Sequence, residues 1–326
     1  MNALQNVGPN SKGAGSRSGL AIKLNHILAP VDFSAASQRG AAFAACIARR
    51  FHSQLHLLYV VEPPSLPKWG YVHLIFKEAK LRHAAKEQLQ EFPLGCGIDP
   101  DLIESGKVRS GDAEFEICRA AVEENADLIV IASHGLGGLK HALIGSTSEA
   151  VVRHAPCPVL TVREHTFAAE NGRQPCFAPR RILVTTDFSE ASRKAFPSAM
   201  SLAREFEASL TLAHVVPSHW PAEISHMGIV LEENRMLSAA REQLPQFCDA
   251  ELDPDMHVET LVLEGGPAHE ICTAAETQSI DLIVMSTHGH TGLKRFALGS
   301  VTENVVRHAP CPVLVVRERE HELVKI

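Results

Sequence analysis

Short apolar runs alternate along the chain with stretches whose apolar residues recur at helical spacing. His26–Val31 (HILAPV) is such a run, and behind it Ala36, Phe43, Ala44, Ile47, Ala48 and Phe51 fall on one helical face. The pattern predicts a strand entering a helix. A second strand is predicted at Gln54–Val61, a helix of mixed polarity at Val72–Phe92 and a weaker alternating strand at Leu102–Arg109. The helix Ala113–Glu124 and the strand Asp127–Ala132 follow, the latter with the branched aliphatic content of a strand buried on both faces. A helical pattern at Glu149–His154 and a strand at Pro158–Arg163 close the series. Alternating strands and helices call for a parallel sheet covered by helices on both faces. Right-handed crossovers then favour a doubly wound α/β fold.

The series is written twice. Arg181–Thr186 restarts it, followed by helix Ala191–Phe206, strand Ser209–Val216, helix Glu223–Phe247, strand His257–Leu263, helix Pro267–Gln278, strand Asp281–Met285 and strand Pro312–Arg317. Asp32-Phe33-Ser34 and Asp187-Phe188-Ser189 stand 155 positions apart. Such a repeat predicts two like domains, 23–164 and 180–318. Residues 1–22 read as a disordered tail, 165–179 as a linker punctuated by Pro175 and Pro179, and 319–326 as a C-terminal tail. Pro197 falls inside a predicted helix and is expected to kink it or loosen its first turns. Each half ends in an apolar strand that would be hazardous as an open edge, so the halves are expected to cover each other as a pseudo-twofold pair.

Composition narrows the field. At 326 residues the chain suits two domains, and 45% hydrophobic against 21% charged residues suffices for packed cores. A net charge of −7 lacks the basic excess of a nucleic-acid binder. The apolar runs are too short to span a bilayer, and the first residues lack the apolar stretch of a secretory signal. Eight cysteines without a close pairing pattern point to reduced thiols in a cytoplasm.

The candidate chemistry lies in a glycine loop that each half carries after its fourth strand, HGLGGLKHALIGS from His134 and HGHTGLKRFALGS from His288. Each loop ends on Gly-Ser, at Gly145-Ser146 and Gly299-Ser300, just ahead of a helix. Glycine lets a ligand approach the main chain, and a helix start offers amides with partial positive charge, which suits phosphate. The alternative is a capping box, because Ser146-x-x-Glu149 and Ser300-x-x-Glu303 fit S-x-x-E and would satisfy those amides internally. Asp32 and Asp187 end the first strand of each half, where either the aspartate or Ser34 would serve as a helix cap. Lys140 and Lys294 read chiefly as solubilising charges, and His134 and His288 as loop braces.

These motifs together resemble the universal stress protein family in its tandem form. The resemblance covers about 23–164 and 180–318 and rests on Asp-Phe-Ser, Ser-His-Gly or Thr-His-Gly, and His-Ala-Pro-Cys-Pro-Val-Leu. It implies two five-stranded parallel sheets of order 3-2-1-4-5, with a ligand crevice where that order reverses. It also implies ATP or a related adenine nucleotide, with or without magnesium, bound through the pattern G-x2-G-x9-G-[ST]. Carried over, the site residues are Asp32, Val60, Gly135, Gly145, Ser146 and Ser148 in the first half, and Asp187, Val215, Gly289, Gly299, Ser300 and Thr302 in the second. The pattern's first glycine is replaced by Ala132 and by Ser286. A Cβ there is expected to make positive φ costly by about 1 kcal/mol or more and to lower affinity. The second half keeps the more usual loop spacing and is expected to bind better.

No P-loop and no nucleophile elbow is present, and no catalytic set assembles around the histidines. His154-Ala-Pro-Cys157 and His308-Ala-Pro-Cys311 would suit zinc only if the twofold gathered them, and a helix stop before a strand explains them better. The leading expectation is an adenine-nucleotide-binding stress-response module of the cytoplasm. It would have no nucleic-acid or membrane partner and would form an intramolecular pseudo-dimer, with further homodimerisation left open. The alternatives are a scaffold that binds no nucleotide and a weak ATPase.

Overall fold

A computed structural model of the chain describes residues 24–62, 71–133, 145–163, 177–218, 230–287 and 298–317, with only the backbone described at 71–78 and 230–234. The first half runs β1 (His26–Val31), α1 (Ala35–Phe51), β2 (Gln54–Val61), α2 (Tyr71–Gly95), β3 (Ile103–Ser110), α3 (Ala113–Glu123), β4 (Leu128–Ala132), α4 (Ser146–His154) and β5 (Val159–Val162). The second runs β6 (Arg181–Thr185), α5 (Glu190–Arg193), α6 (Ala195–Phe206), β7 (Ser209–Pro217), α7 (Val230–Glu251), β8 (Val258–Gly265), α8 (Pro267–Thr277), β9 (Leu282–Ser286), α9 (Ser300–His308) and β10 (Val313–Val316).

The strands form one sheet of order β3-β2-β1-β4-β5-β10-β9-β6-β7-β8. Each half therefore has the expected 3-2-1-4-5 order, and every pairing within a half is parallel. The halves join where β5 meets β10 antiparallel, with Leu160 opposite Leu314. The two apolar edges thus cover each other, as the repeat predicted.

Side chains alternate across the sheet into two cores. Ile27, Ala29 and Val31 enter the layer covered by α1 and α6, while Leu28 enters the layer covered by α3, α4, α8 and α9. Central strands buried on both faces explain runs such as LIVIA, each large aliphatic contributing about 1.5–3 kcal/mol on burial.

The helix containing Pro197 differs from its continuous counterpart α1. It is split at Lys194 into α5 and α6. Proline cannot donate to a carbonyl four residues back, so it is accommodated in the first turn of the new helix.

Candidate functional site

Register fixes which residues share the carboxyl end of the strands. Val31 pairs with Tyr59 and Leu28 with Ile129, so one step beyond β1 brings Asp32 level with Val60 on one side and Ser133 on the other. In the second half Thr185 pairs with Ala213 and Val184 with Val284, which puts Asp187 level with Val215 and Thr287. Strand order reverses between β1 and β4, and between β6 and β9, so both sets lie at the carboxyl ends of the strands at a topological switch point.

The aspartates do not cap the helix. Ser34 and Ser189 are the N-caps, accepting from the amides of Ser37 and Ser192 at 3.1 Å in each half. Asp32 Oδ1 instead accepts from the Ser34 amide and Asp187 Oδ1 from the Ser189 amide, each at 3.0 Å. The residue between takes positive φ, 62° at Phe33 and 65° at Phe188. A bulky side chain pays for that conformation. Aromatic packing supports it: Phe33 stacks on Tyr59 and Phe188 lies against His214, both with ring centroids 4.4 Å apart. Burial lowers the His214 pKa, against the opposing pull of the Thr186 carbonyl, to which its Nδ1 donates, and of Asp187.

The start of each site helix tests the capping-box reading of Gly-Ser. Gly145 and Gly299 are the N-caps and provide no side-chain cap, while Ser146 and Ser300 are the first helical residues and are exposed. The capping box is therefore not formed. Glu149 and Glu303 engage arginines instead. Gly145 donates to the Ser133 carbonyl at 2.7 Å and Gly299 to that of Thr287 at 2.8 Å, drawing each helix start to the end of β4 or β9. The Ser148 hydroxyl donates to the Ala132 carbonyl at 2.7 Å and the Thr302 hydroxyl to that of Ser286 at 2.8 Å. These two hydroxyls fasten the helix to the strand.

The expected strain at the replaced first glycine does not arise. Ala132 and Ser286 are the last residues of β4 and β9 and are absent from the positive-φ positions among the described residues. The side chain of Ala132 sits against Gly40 of α1, where a Cβ would come 3.5 Å from its own. In the second half α6 carries Ala195 at the matching position.

Asp32, Val60, Gly145, Ser146 and Ser148 thus gather at one end of the first half, and Asp187, Val215, Gly299, Ser300 and Thr302 at the same end of the second. Gly135 and Gly289, with His134, Lys140, His288 and Lys294, lie outside the described residues. Among the described residues no three metal-ligating side chains come together. His154 lies against the Glu114 carboxylate, His308 donates to the Asn304 carbonyl, and burial pushes the Cys311 thiol up to about 12.

One pair of contacts had no local signal in the sequence. Arg163, after β5, donates to the carbonyls of Arg307 and Ala309 at the end of α9, and Arg317, after β10, donates to those of Arg153 and Ala155 at the end of α4. Each site helix is capped by an arginine from the other half. The only hint was the repeated Val-Arg-Glu behind both last strands.

The model of the family described as "Universal stress protein family" matches residues 23–163 and again 179–317. The chain belongs to the universal stress protein family. A universal stress protein of Mycolicibacterium smegmatis is 30% identical over 302 residues, covering 90% of this chain and 97% of that one. A universal stress protein of Methanocaldococcus jannaschii is 37% identical over 147 residues, 44% of this chain and 85% of its own. Among solved structures, a universal stress protein from Archaeoglobus fulgidus superposes with a TM-score of 0.60 at 21% identity, covering 91% of this chain and 98% of that one. That likeness shows the tandem universal stress protein fold. No helix of the described residues is long and apolar enough to cross a membrane.

Proposed function

We propose that each half of this universal stress protein binds ATP or a related adenine nucleotide, and that the protein serves in the stress response as a binding module. The phosphates would lie at the start of α4 or α9, on the amides behind Gly145 and Gly299, with Asp32 or Asp187 toward the nucleoside. Magnesium, where present, would be held chiefly by the phosphates.

The observation that carries this reading is the helix start. The S-x-x-E sequence offers an internal cap, yet a glycine takes the cap position and the glutamate turns to arginines. A glycine-capped helix start at the topological switch point is suited to an anion. The extended conformation of Ala132 and Ser286 removes the main argument for a non-binding scaffold.

We place the protein in a reducing cytoplasm, a reading supported by the seven described cysteines, all free. Equilibrium dialysis of the full chain against ATP, with Asp32→Ala plus Asp187→Ala as the control, tests the reading. Saturable binding lost in the control is expected. Absence of binding at millimolar ATP would establish the scaffold instead.

A further inference from the structure

The helices that begin at the two proposed phosphate sites are joined by four side chains. Glu149, in the first turn of α4, accepts from Arg153 Nη2 at 3.0 Å and from Arg307 Nη2 of α9 at 3.0 Å. Glu303, in the first turn of α9, accepts from the same Arg307 Nη2 at 3.0 Å and lies 3.8 Å from Arg153 Nη2. The two carboxylates and two guanidinium groups cancel in charge. A single nitrogen of Arg307 therefore serves carboxylates from both halves.

Resting on the nucleotide reading above, we infer that this cluster couples the two sites negatively, so that nucleotide bound in one half weakens binding in the other. A phosphate at the start of α4 places negative charge in the same helix turn as Glu149, and both draw on one positive helix end. The repulsion drives the Glu149 carboxylate further onto its arginines. Arg307 is shared, so what Glu149 gains from it Glu303 loses. Glu303 is left less compensated, and the start of α9 becomes less hospitable to an anion. Direct repulsion between two bound polyanions has the same sign.

The main chain leaves little room for another response. The carbonyls of Arg307 and Ala309 are held by Arg163, and those of Arg153 and Ala155 by Arg317, so each helix is anchored at its far end by the opposite half. With the backbone of Arg307 fixed and its guanidinium shared, redistribution falls to the side chains. The four are partly buried, which limits screening by salt without abolishing it.

The test is calorimetric titration of ATP into the full chain, with Asp187→Ala and Asp32→Ala chains giving the affinity of each half alone. Couplings of this kind range from about fivefold upward. The overall two-site constant is expected to fall at least about fivefold below the product of the single-site constants. In Arg153→Gln plus Arg307→Gln the gap, taken against that variant's own single-site constants, should narrow, and a gap left unchanged assigns the coupling to direct repulsion and overturns the role of the cluster. In the unmodified chain the gap should also shrink as salt is raised, a result independent of whether the variant folds. A two-site constant equal to the product, in low salt, overturns the coupling and leaves the binding reading intact. Absence of binding to any of the chains overturns both.

Discussion

Arg163 donates to the carbonyl of Ala309, 146 residues further along the chain, at 2.7 Å. Its counterpart Arg317 makes the same kind of bond to Arg153 at 2.7 Å, so the β5–β10 seam is locked on both sides by reciprocal helix caps. Cations at helix C-termini are favourable, and charge-assisted bonds contribute about 1.5–3 kcal/mol each. Counting one such bond for each arginine, Arg163→Ala plus Arg317→Ala should therefore destabilise the protein by about 3–6 kcal/mol in chemical denaturation. The Lys double variant should recover only part of this, because lysine cannot span two carbonyls with a planar fork. An unchanged midpoint in the alanine variant would show that the strand pairing alone holds the seam.

Gly40 sits buried inside α1, where an added Cβ would meet the Ala132 amide nitrogen at 3.4 Å, an ordinary contact. The second half already has alanine at the matching position, Ala195. Gly40→Ala should stabilise the protein by about 0.5–1 kcal/mol through helix propensity. Gly265→Ala should do the reverse, because φ is +139° there and the new Cβ would lie 2.8 Å from Glu270 Oε1. Thermal unfolding of the two variants checks both signs.

Acid should weaken the fold through two histidines. Burial lowers the pKa of His56, against the pull of Glu124, and likewise that of His214. The unfolded chain then binds protons that the folded one refuses, so stability is complete above the unfolded histidine pKa of about 6.5 and falls as pH drops below it. Denaturation midpoints measured from pH 7.5 to 5 should show this slope. His56→Asn plus His214→Asn should flatten it, and an unchanged slope in that variant would assign the acid sensitivity elsewhere.

The periodicity of apolar residues was enough to place the strands, the repeat and the joining of the two apolar edges, because burial on both faces writes a continuous signal. Pro197 likewise announced the break between α5 and α6. Features that depend on partners far along the chain were not legible. Ser146-x-x-Glu149 has the form of a capping box, but Glu149 is shared between Arg153, at local i,i+4 spacing, and Arg307 of the other half, and no local pattern announces the second. The positive φ at Phe33 and Phe188 is invisible for the same reason, since it is the packing of Tyr59 and His214 that supports it. His26 and His56 meet at 3.1 Å between neighbouring strands, a contact that sequence spacing alone does not announce.

The position of a bound nucleotide tests the account most directly. A crystal structure of the full chain with a non-hydrolysable ATP analogue should place phosphate oxygens within hydrogen-bonding distance of the Ser300 amide, with the nucleoside beside Asp187 and Val215. An analogue bound away from the ends of β6 and β9, or side chains packed into that crevice with the analogue excluded, would contradict it.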